Sequence, residues 1–93
     1  MIRSFRNSDT ESVFLRQRVG KFGRPLQRSS LRKLLLLDAA ESLEDLRVPP
    51  ANRLEKLVAD REGQYSIRIN DQWRICFRWE EGNAYDVEIV VYH

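Results

Sequence analysis

Four side chains in the last third of the chain, Arg68, Arg74, Tyr92 and His93, have the types that phosphodiester chemistry asks for. Arginine forks match phosphate oxygens two at a time and stay charged at any physiological pH. Histidine, with an ordinary pKa of about 6.5, takes up and releases protons. Tyrosine hydrogen-bonds a phosphate or stacks on a base. RNA carries its own nucleophile, the 2′-hydroxyl, so its cleavage needs positioning, charge stabilisation and proton transfer, with no metal or other cofactor. The remaining residues exclude other chemistries. One cysteine, Cys76, and one histidine cannot build a thiolate–imidazole zinc site, and a lone cysteine forms no internal disulfide, which fits a reducing compartment. The sequence has no glycine-rich phosphate loop and no Ser–His–Asp pattern. Cys76 lies between Ile75 and Phe77 and reads as a packed thiol, while Trp73 and Trp79 share an apolar phase and read as core. Arg74 and Arg78 have a plainer alternative, cross-strand pairing with Asp86 and Glu88 at ~0.2–1 kcal/mol each.

The elements that must hold these groups follow from periodicity. Tyr65, Ile67 and Ile69 alternate with Ser66, Arg68 and Asn70; Trp73, Ile75, Phe77 and Trp79 alternate with Arg74, Cys76 and Arg78. Tyr85, Val87, Ile89 and Val91 alternate with Asp86, Glu88, Val90 and Tyr92. Turns at Asn70–Gln72 and Glu81–Asn83 join these runs into an antiparallel meander whose polar face presents Arg68, Arg74 and Arg78. Arg53–Leu57 reads as a short strand or the approach to one, and Asp60–Gly63 as a turn. Ahead of the strands, Ile2–Phe5 reads as a short strand. A first helix is capped by Asp9 or Thr10 and runs to about Val19; Gly20 and Gly23 break it. A second helix runs from about Pro25 to Ala40, with Leu31, Leu34, Leu35 and Asp38 on one face and Leu36 and Leu37 widening it. Ser42 and Asp45 suit a capping box for one further turn, and Pro49-Pro50 ends helix formation. Helices followed by strands make an α+β domain, two N-terminal helices packed on an antiparallel sheet, as one unit over 1–93.

Size and charge bound the partners. A chain of 93 residues buries only about 60–65% of its unfolded surface, so a partner can add materially to its stability. The longest apolar run, Leu34–Leu37, is far short of the roughly 20 residues of a membrane helix, and the N-terminus has no apolar signal core; a cytoplasmic protein with no membrane role is expected. Residues 1–35 hold nine Arg and Lys against Asp9 and Glu11, whereas residues 36–93 hold seven basic and twelve acidic side chains. The basic half suits a polyanion or an acidic protein partner, or else is a solvated helix surface.

Several segments together resemble a known family: Met1–Phe5, Leu37-Asp38-Ala39-Ala40, Ser42-Leu43-Glu44-Asp45-Leu46, Pro49–Glu55, Gly63–Asn70, Trp73-Arg74-Ile75 and the final Tyr92-His93. Across nearly the whole chain they are similar to HigB toxins, in the GraT-like branch, within the RelE/ParE superfamily. The resemblance implies a RelE-like fold and a type II toxin that cleaves mRNA in the ribosomal A site and so inhibits translation. It implies a HigA-like helix-turn-helix antitoxin as partner, with operator DNA reached only through that antitoxin. Carried over to this sequence, Arg74 holds the scissile phosphate with Tyr92 and His93 beside it. Arg61, Arg68 and Lys56 contact the RNA backbone, and basic residues of the two helices, Arg28 and Arg32 among them, grip ribosomal RNA. The chain departs from the family pattern at two places. Val91 stands where the usual Asp-Tyr-His ending has its acid, and Glu55 and Val58 stand where some members carry His and Lys. Loss of the acid removes a proton acceptor or a carboxylate that orients His93, which implies an attenuated or disabled toxin; Val91 itself continues an apolar alternation. Two other readings share the fold: a ParE-like inhibitor of DNA gyrase and a catalytically inactive RNA- or antitoxin-binding module.

Overall fold

The computed structural model describes residues 1–58 and 61–91. Two helices, α1 (Ser8–Phe14) and α2 (Arg24–Ala39), precede two short 3-10 turns, Leu43–Arg47 and Pro50–Asn52. The strands β1 (Glu55–Lys56), β2 (Gln64–Arg68), β3 (Trp73–Glu80) and β4 (Asn83–Val91) follow. They pair in sequence order, all antiparallel, as an up-and-down meander. Both helices cover one face, where Leu34, Leu37, Ile67, Ile75, Phe77 and Val87 are buried together. Trp73 packs edge-on to Phe22 with ring centroids 5.6 Å apart, and Trp79 does so with Phe77 at 6.3 Å, so both tryptophans are part of the core as their phase implies. Cys76 is buried in mid-strand.

Local chemistry explains most element ends, and several differ from the sequence reading. The cap of α1 is Asn7, whose side chain accepts from Thr10 N–H at 2.9 Å, rather than Asp9 or Thr10. Thr10 instead points inward and its hydroxyl accepts from Ile89 N–H at 3.0 Å, closing a gap in the edge of β4. Helix α1 stops at Phe14, well before Val19, in a Schellman arrangement: Gln17 N–H reaches Ser12 O at 2.8 Å and Arg16 N–H reaches Val13 O at 3.0 Å. Arg16 supplies the left-handed residue of that motif, with φ +65°, a position that favours glycine. The early stop frees Val19 and Phe22 to be buried from the loop between the helices. Ser42 and Asp45 do form the expected capping box. On α2 the buried positions are Ser30, Leu34 and Leu37, while Leu35 and Leu36 are exposed, so the apolar face is narrower than the run of leucines suggests.

The largest departure lies in β4. Cys76 pairs with Glu88 but Arg78 pairs with Tyr85, so β4 carries one extra residue, and Asp86 takes φ +52° at the bulge. The bulge turns Ala84 and Val87 both towards the core and sends Tyr85 to the opposite face, where the Arg78 guanidinium lies 5.5 Å from its ring centre. Tyr85 therefore does not share the core phase of Val87 and Ile89. The N-terminal segment runs parallel to β4 through isolated bridges Ile2–Ala84 and Phe5–Val87, so the expected first strand is present as two contacts interrupted opposite the bulge. Val91, the last described residue, pairs with Trp73 and is 47% exposed, so it contributes little to the core despite its apolar phase.

Candidate active site

The face of the sheet away from the helices carries three rows of side chains set by strand register. Ser66, Cys76 and Glu88 form the middle row; Gln64, Arg78 and Tyr85 lie on one side of it, and Arg68, Arg74 and Val90 on the other. The last row matters most. Arg68 and Arg74 stand directly opposite each other, an arrangement of like charges that weakens a sheet unless anions compensate it.

Each arginine is held differently. Arg74 is 6% exposed, and its guanidinium donates from Nε to Ser66 Oγ at 2.8 Å and from an Nη to the Arg53 carbonyl at 2.5 Å. The Glu55 carboxylate lies 3.8 Å from its other Nη. The Arg53 carbonyl reaches Arg74 because Arg53 closes the Pro50–Asn52 turn in the left-handed conformation, φ +44°. A buried charge needs this density of partners, and their fixed geometry leaves the fork pre-aimed. Arg68 is more exposed and pairs with Asp71 in the β2–β3 turn. Together Arg53, Glu55, Arg68, Asn70, Asp71 and Arg74 line a polar cleft of about 270 Å³ at the end of the sheet. Among the described lining residues three arginines stand against two acidic residues, a balance that favours an anion.

The other positions singled out from sequence distribute as follows. Arg61 donates to Gln64 Oε1 at 3.2 Å and Glu88 Oε1 at 3.1 Å, across the middle row from the cleft. Burial pushes the Cys76 thiol pKa up, with Glu88 adding to the rise while Arg61 and Arg74 oppose it, so the thiol stays protonated. Arg78 pairs across to Asp86 at 2.8 Å, the plain cross-strand role for that arginine, and along its own strand with Glu80 at 2.9 Å; Arg74 turns to Ser66, Arg53 and Glu55 instead. Lys56 is exposed on the edge strand β1. Arg28 and Arg32 are exposed on α2 in the other layer of the fold, away from the lining of the cleft. Burial lowers the Lys33 pKa, and the charges of Arg32 and Arg68 lower it further. Lys33 donates to Asn52 Oδ1 at 2.5 Å, which ties α2 to the turn that ends at Arg53. Tyr92 and His93, and with them the expected end of the site, lie outside the described residues. Asp60, part of the expected turn before β2, does as well. Among the described residues no three His, Cys, Asp or Glu side chains converge as a metal ion would require, and no helix is long and apolar enough to cross a membrane.

Sequence reasoning missed Ser66 and Arg53 as partners of Arg74. Ser66 had a signal, since it is the small polar residue two places before Arg68 on the same face. Arg53 had none, because it contributes through its backbone.

The chain is similar to known proteins both in sequence and in fold. Residues 4–93 match the sequence model of a family described as HigB-like toxin, the RelE-like toxin of the type II toxin–antitoxin system HigB. The chain is 46% identical over 59 residues to Toxin HigB-1 of Vibrio cholerae serotype O1, covering 63% of this chain and 62% of that one. It is 34% identical over 61 residues to Endoribonuclease HigB of Proteus vulgaris, covering 66% and 65%. These alignments thus span a little under two thirds of the relatives' lengths. Among solved structures, the YoeB–YefM complex of Staphylococcus aureus contains a chain that superposes with a TM-score of 0.63 at 15% identity, over 100% of this chain and 98% of that one. At that identity the likeness establishes the RelE-like fold, two helices on a four-stranded antiparallel sheet.

Proposed function

The chain belongs to the HigB-like toxins, RelE-like toxins of type II toxin–antitoxin systems, and from that premise we propose that it is an endoribonuclease that cleaves mRNA in the ribosomal A site. The observation that carries the proposal is the pair of opposed arginines, Arg68 and Arg74, in a cleft with Arg53. Two arginine forks held side by side at the end of a sheet suit the oxygens of a phosphate. The name of the Proteus vulgaris relative, an endoribonuclease, supports the same reading.

In this reading the RNA backbone lies in the cleft and Arg74 binds the scissile phosphate. The 2′-oxygen attacks phosphorus and gives up its proton, while the P–O5′ bond breaks and the departing 5′-oxygen takes a proton, leaving a 2′,3′-cyclic phosphate and a 5′-hydroxyl. Charge that builds on the phosphoryl oxygens in the transition state is met by the fixed guanidinium of Arg74, assisted by Arg68 and Arg53. His93 and Tyr92 are the groups for proton transfer and base contact. They follow directly on Val91, whose partner Trp73 is the neighbour of Arg74 in β3. Among the described residues Glu55 places a carboxylate 3.8 Å from Arg74, and Val91 stands where the family's acid is expected. Arg61, Lys56, Arg28 and Arg32 are further contacts to mRNA or ribosomal RNA, and work on the ribosome implies a cytoplasmic protein. An antitoxin of the HigA-like helix-turn-helix kind neutralises the chain and carries it to operator DNA; the YoeB–YefM assemblies support an antitoxin partner in general.

The test is primer extension on a reporter mRNA in a purified translation system, with and without ribosomes, beside His93→Ala. New 5′ ends that require ribosomes and vanish in the variant are expected. No cleavage in any lane overturns the nuclease reading in favour of a disabled toxin or a gyrase inhibitor, and Val91→Asp in the same assay separates those two.

A further inference from the structure

In the short turns that lead from the helices to the sheet, the Asn52 side chain is fully buried. A sealed amide is costly unless its donors and its acceptor are met. Its Nδ2 donates to Leu46 O at 3.1 Å and to Val48 O at 3.3 Å, and its Oδ1 accepts from Lys33 Nζ at 2.5 Å. Its backbone N–H donates to Pro49 O at 3.0 Å. One side chain thus ties the first 3-10 turn, the residue ahead of the prolines and, through Lys33, helix α2 to the end of the Pro50–Asn52 turn.

The residue that follows is strained. Arg53 takes φ +44° and ψ +58°, a conformation that an L side chain keeps only where its surroundings impose it. Its N–H donates to Pro50 O at 3.1 Å, and its carbonyl, turned by the left-handed backbone, accepts from an Nη of Arg74 at 2.5 Å. Ser66 meets Arg74 from within the sheet, through Oγ on Nε and through its carbonyl at 3.3 Å from an Nη. Arg53 meets it from outside. It lies ahead of β1, beyond the pairing of the sheet, so its carbonyl takes its place from the turn before it.

We propose that Asn52, braced from α2 by Lys33, is a positioning residue for Arg74. It holds the turn that aims the Arg53 carbonyl, and through that carbonyl it sets how the guanidinium faces a phosphate. The inference rests on the reading of Arg74 as the group that binds the scissile phosphate. Neither Asn52 nor Lys33 lines the cleft, so their effect on the reaction runs through Arg53 and Arg74. A guanidinium that is present but loosely held still attracts RNA; what it loses is the fixed aim at charge developing in the transition state.

The experiment compares the wild type with Asn52→Ala, Lys33→Met and Lys33→Arg in two readouts, nitrogen–proton NMR spectra of the labelled protein and ribosome-dependent cleavage of the reporter mRNA. An Nη fixed on a carbonyl keeps the guanidinium from turning, so the Arg74 Nη protons are expected to give separate signals in the wild type. Arg74→Lys removes those signals and so assigns them. In Asn52→Ala they are expected to merge, while kcat falls about tenfold or more and KM stays within about twofold. Lys33→Met leaves the buried amide in place and tests the brace even where Asn52→Ala fails to fold. It is expected to lower kcat several-fold, and Lys33→Arg, which retains a charged donor, to restore it. Separate signals and wild-type kcat in the folded variants overturn the positioning role and leave the nuclease reading intact. Merged signals at wild-type kcat overturn it too, since Asn52 is then a structural brace alone. A raised KM at unchanged kcat in Lys33→Met makes Lys33 an RNA contact and has the same consequence. A wild type that cuts no RNA overturns the nuclease reading itself, and the role of Asn52 in that reaction with it.

Discussion

Arg74 and Ser66 are joined by a 2.8 Å hydrogen bond from the guanidinium Nε to the serine hydroxyl, and both side chains are buried on the sheet face away from the helices. The contact fixes the plane of the guanidinium, and therefore the direction from which Arg74 meets a phosphate. Ser66→Ala deletes the acceptor and leaves a buried donor unsatisfied, which costs ~1–3 kcal/mol of stability. The expected kinetic result is a fall in kcat with KM nearly unchanged, because Ser66 positions a group without touching substrate. Denaturant unfolding and cleavage rates check the two parts; equal loss in KM and kcat would place Ser66 in RNA binding instead.

Arg53 and Arg68 line the cleft and are more exposed than Arg74. Each charge that neutralises a phosphate releases counterions. Arg68→Gln and Arg53→Gln are therefore each expected to lower the salt dependence of RNA affinity by about one phosphate contact. Affinity for a short RNA measured across a salt series reads the slope directly. An unchanged slope in both variants would remove them from the binding site.

Val91 ends the described part of β4 in a half-exposed position beside Trp73. Because the side chain is not sealed in the core, Val91→Asp is expected to cost less than about 1 kcal/mol of stability. Under the proposal that Val91 attenuates the toxin, the same change raises mRNA cleavage and growth inhibition. Identical activity in the two proteins would show that the acid is dispensable here.

Lys33 is held in contact with Asn52 while burial, Arg32 and Arg68 push its pKa below the ordinary 10.5. The unfolded chain therefore binds more protons than the folded one in the window between the lowered value and 10.5. Stability from this group rises as pH increases through that window and is lower beneath it, where the ammonium is charged in both states. Lys33→Met is expected to remove that rise from the difference between variant and wild-type unfolding curves. A parallel pair of curves over this range would mean that Lys33 titrates as it does in the unfolded chain.

Much of the molecule was legible in the sequence because its signals are local. Period-two alternation through Tyr65–Ile69 and Trp73–Trp79 specifies half-buried strands, and the Glu81-Gly82 turn, with φ of +49° and +81°, joins β3 to β4 tightly. The opposition of Arg68 and Arg74 follows from that short-turn meander once the strands pair. So does the packing of Trp73 and Trp79, since they share a face with Ile75 and Phe77.

What only the tertiary structure decided involves residues whose role depends on something distant in sequence. Tyr85 looked like a core position until the bulge at Asp86 shifted the register of β4 against β3, an event that alternation within β4 cannot reveal. Leu35 and Leu36 looked like core because they are leucines, yet the sheet meets α2 along a narrower arc through Leu34 and Leu37. Arg53 holds Arg74 through a carbonyl aimed by its left-handed conformation, and a carbonyl carries no sequence signature. The sequence by itself determined the α+β layout and the arginines of the sheet face, because hydrophobic period and charge type are properties of the residues in order. The third dimension decided which of those arginines share a cleft and which helix faces stay uncovered, because register, bulges and crossing elements are set by contacts between segments far apart in the chain.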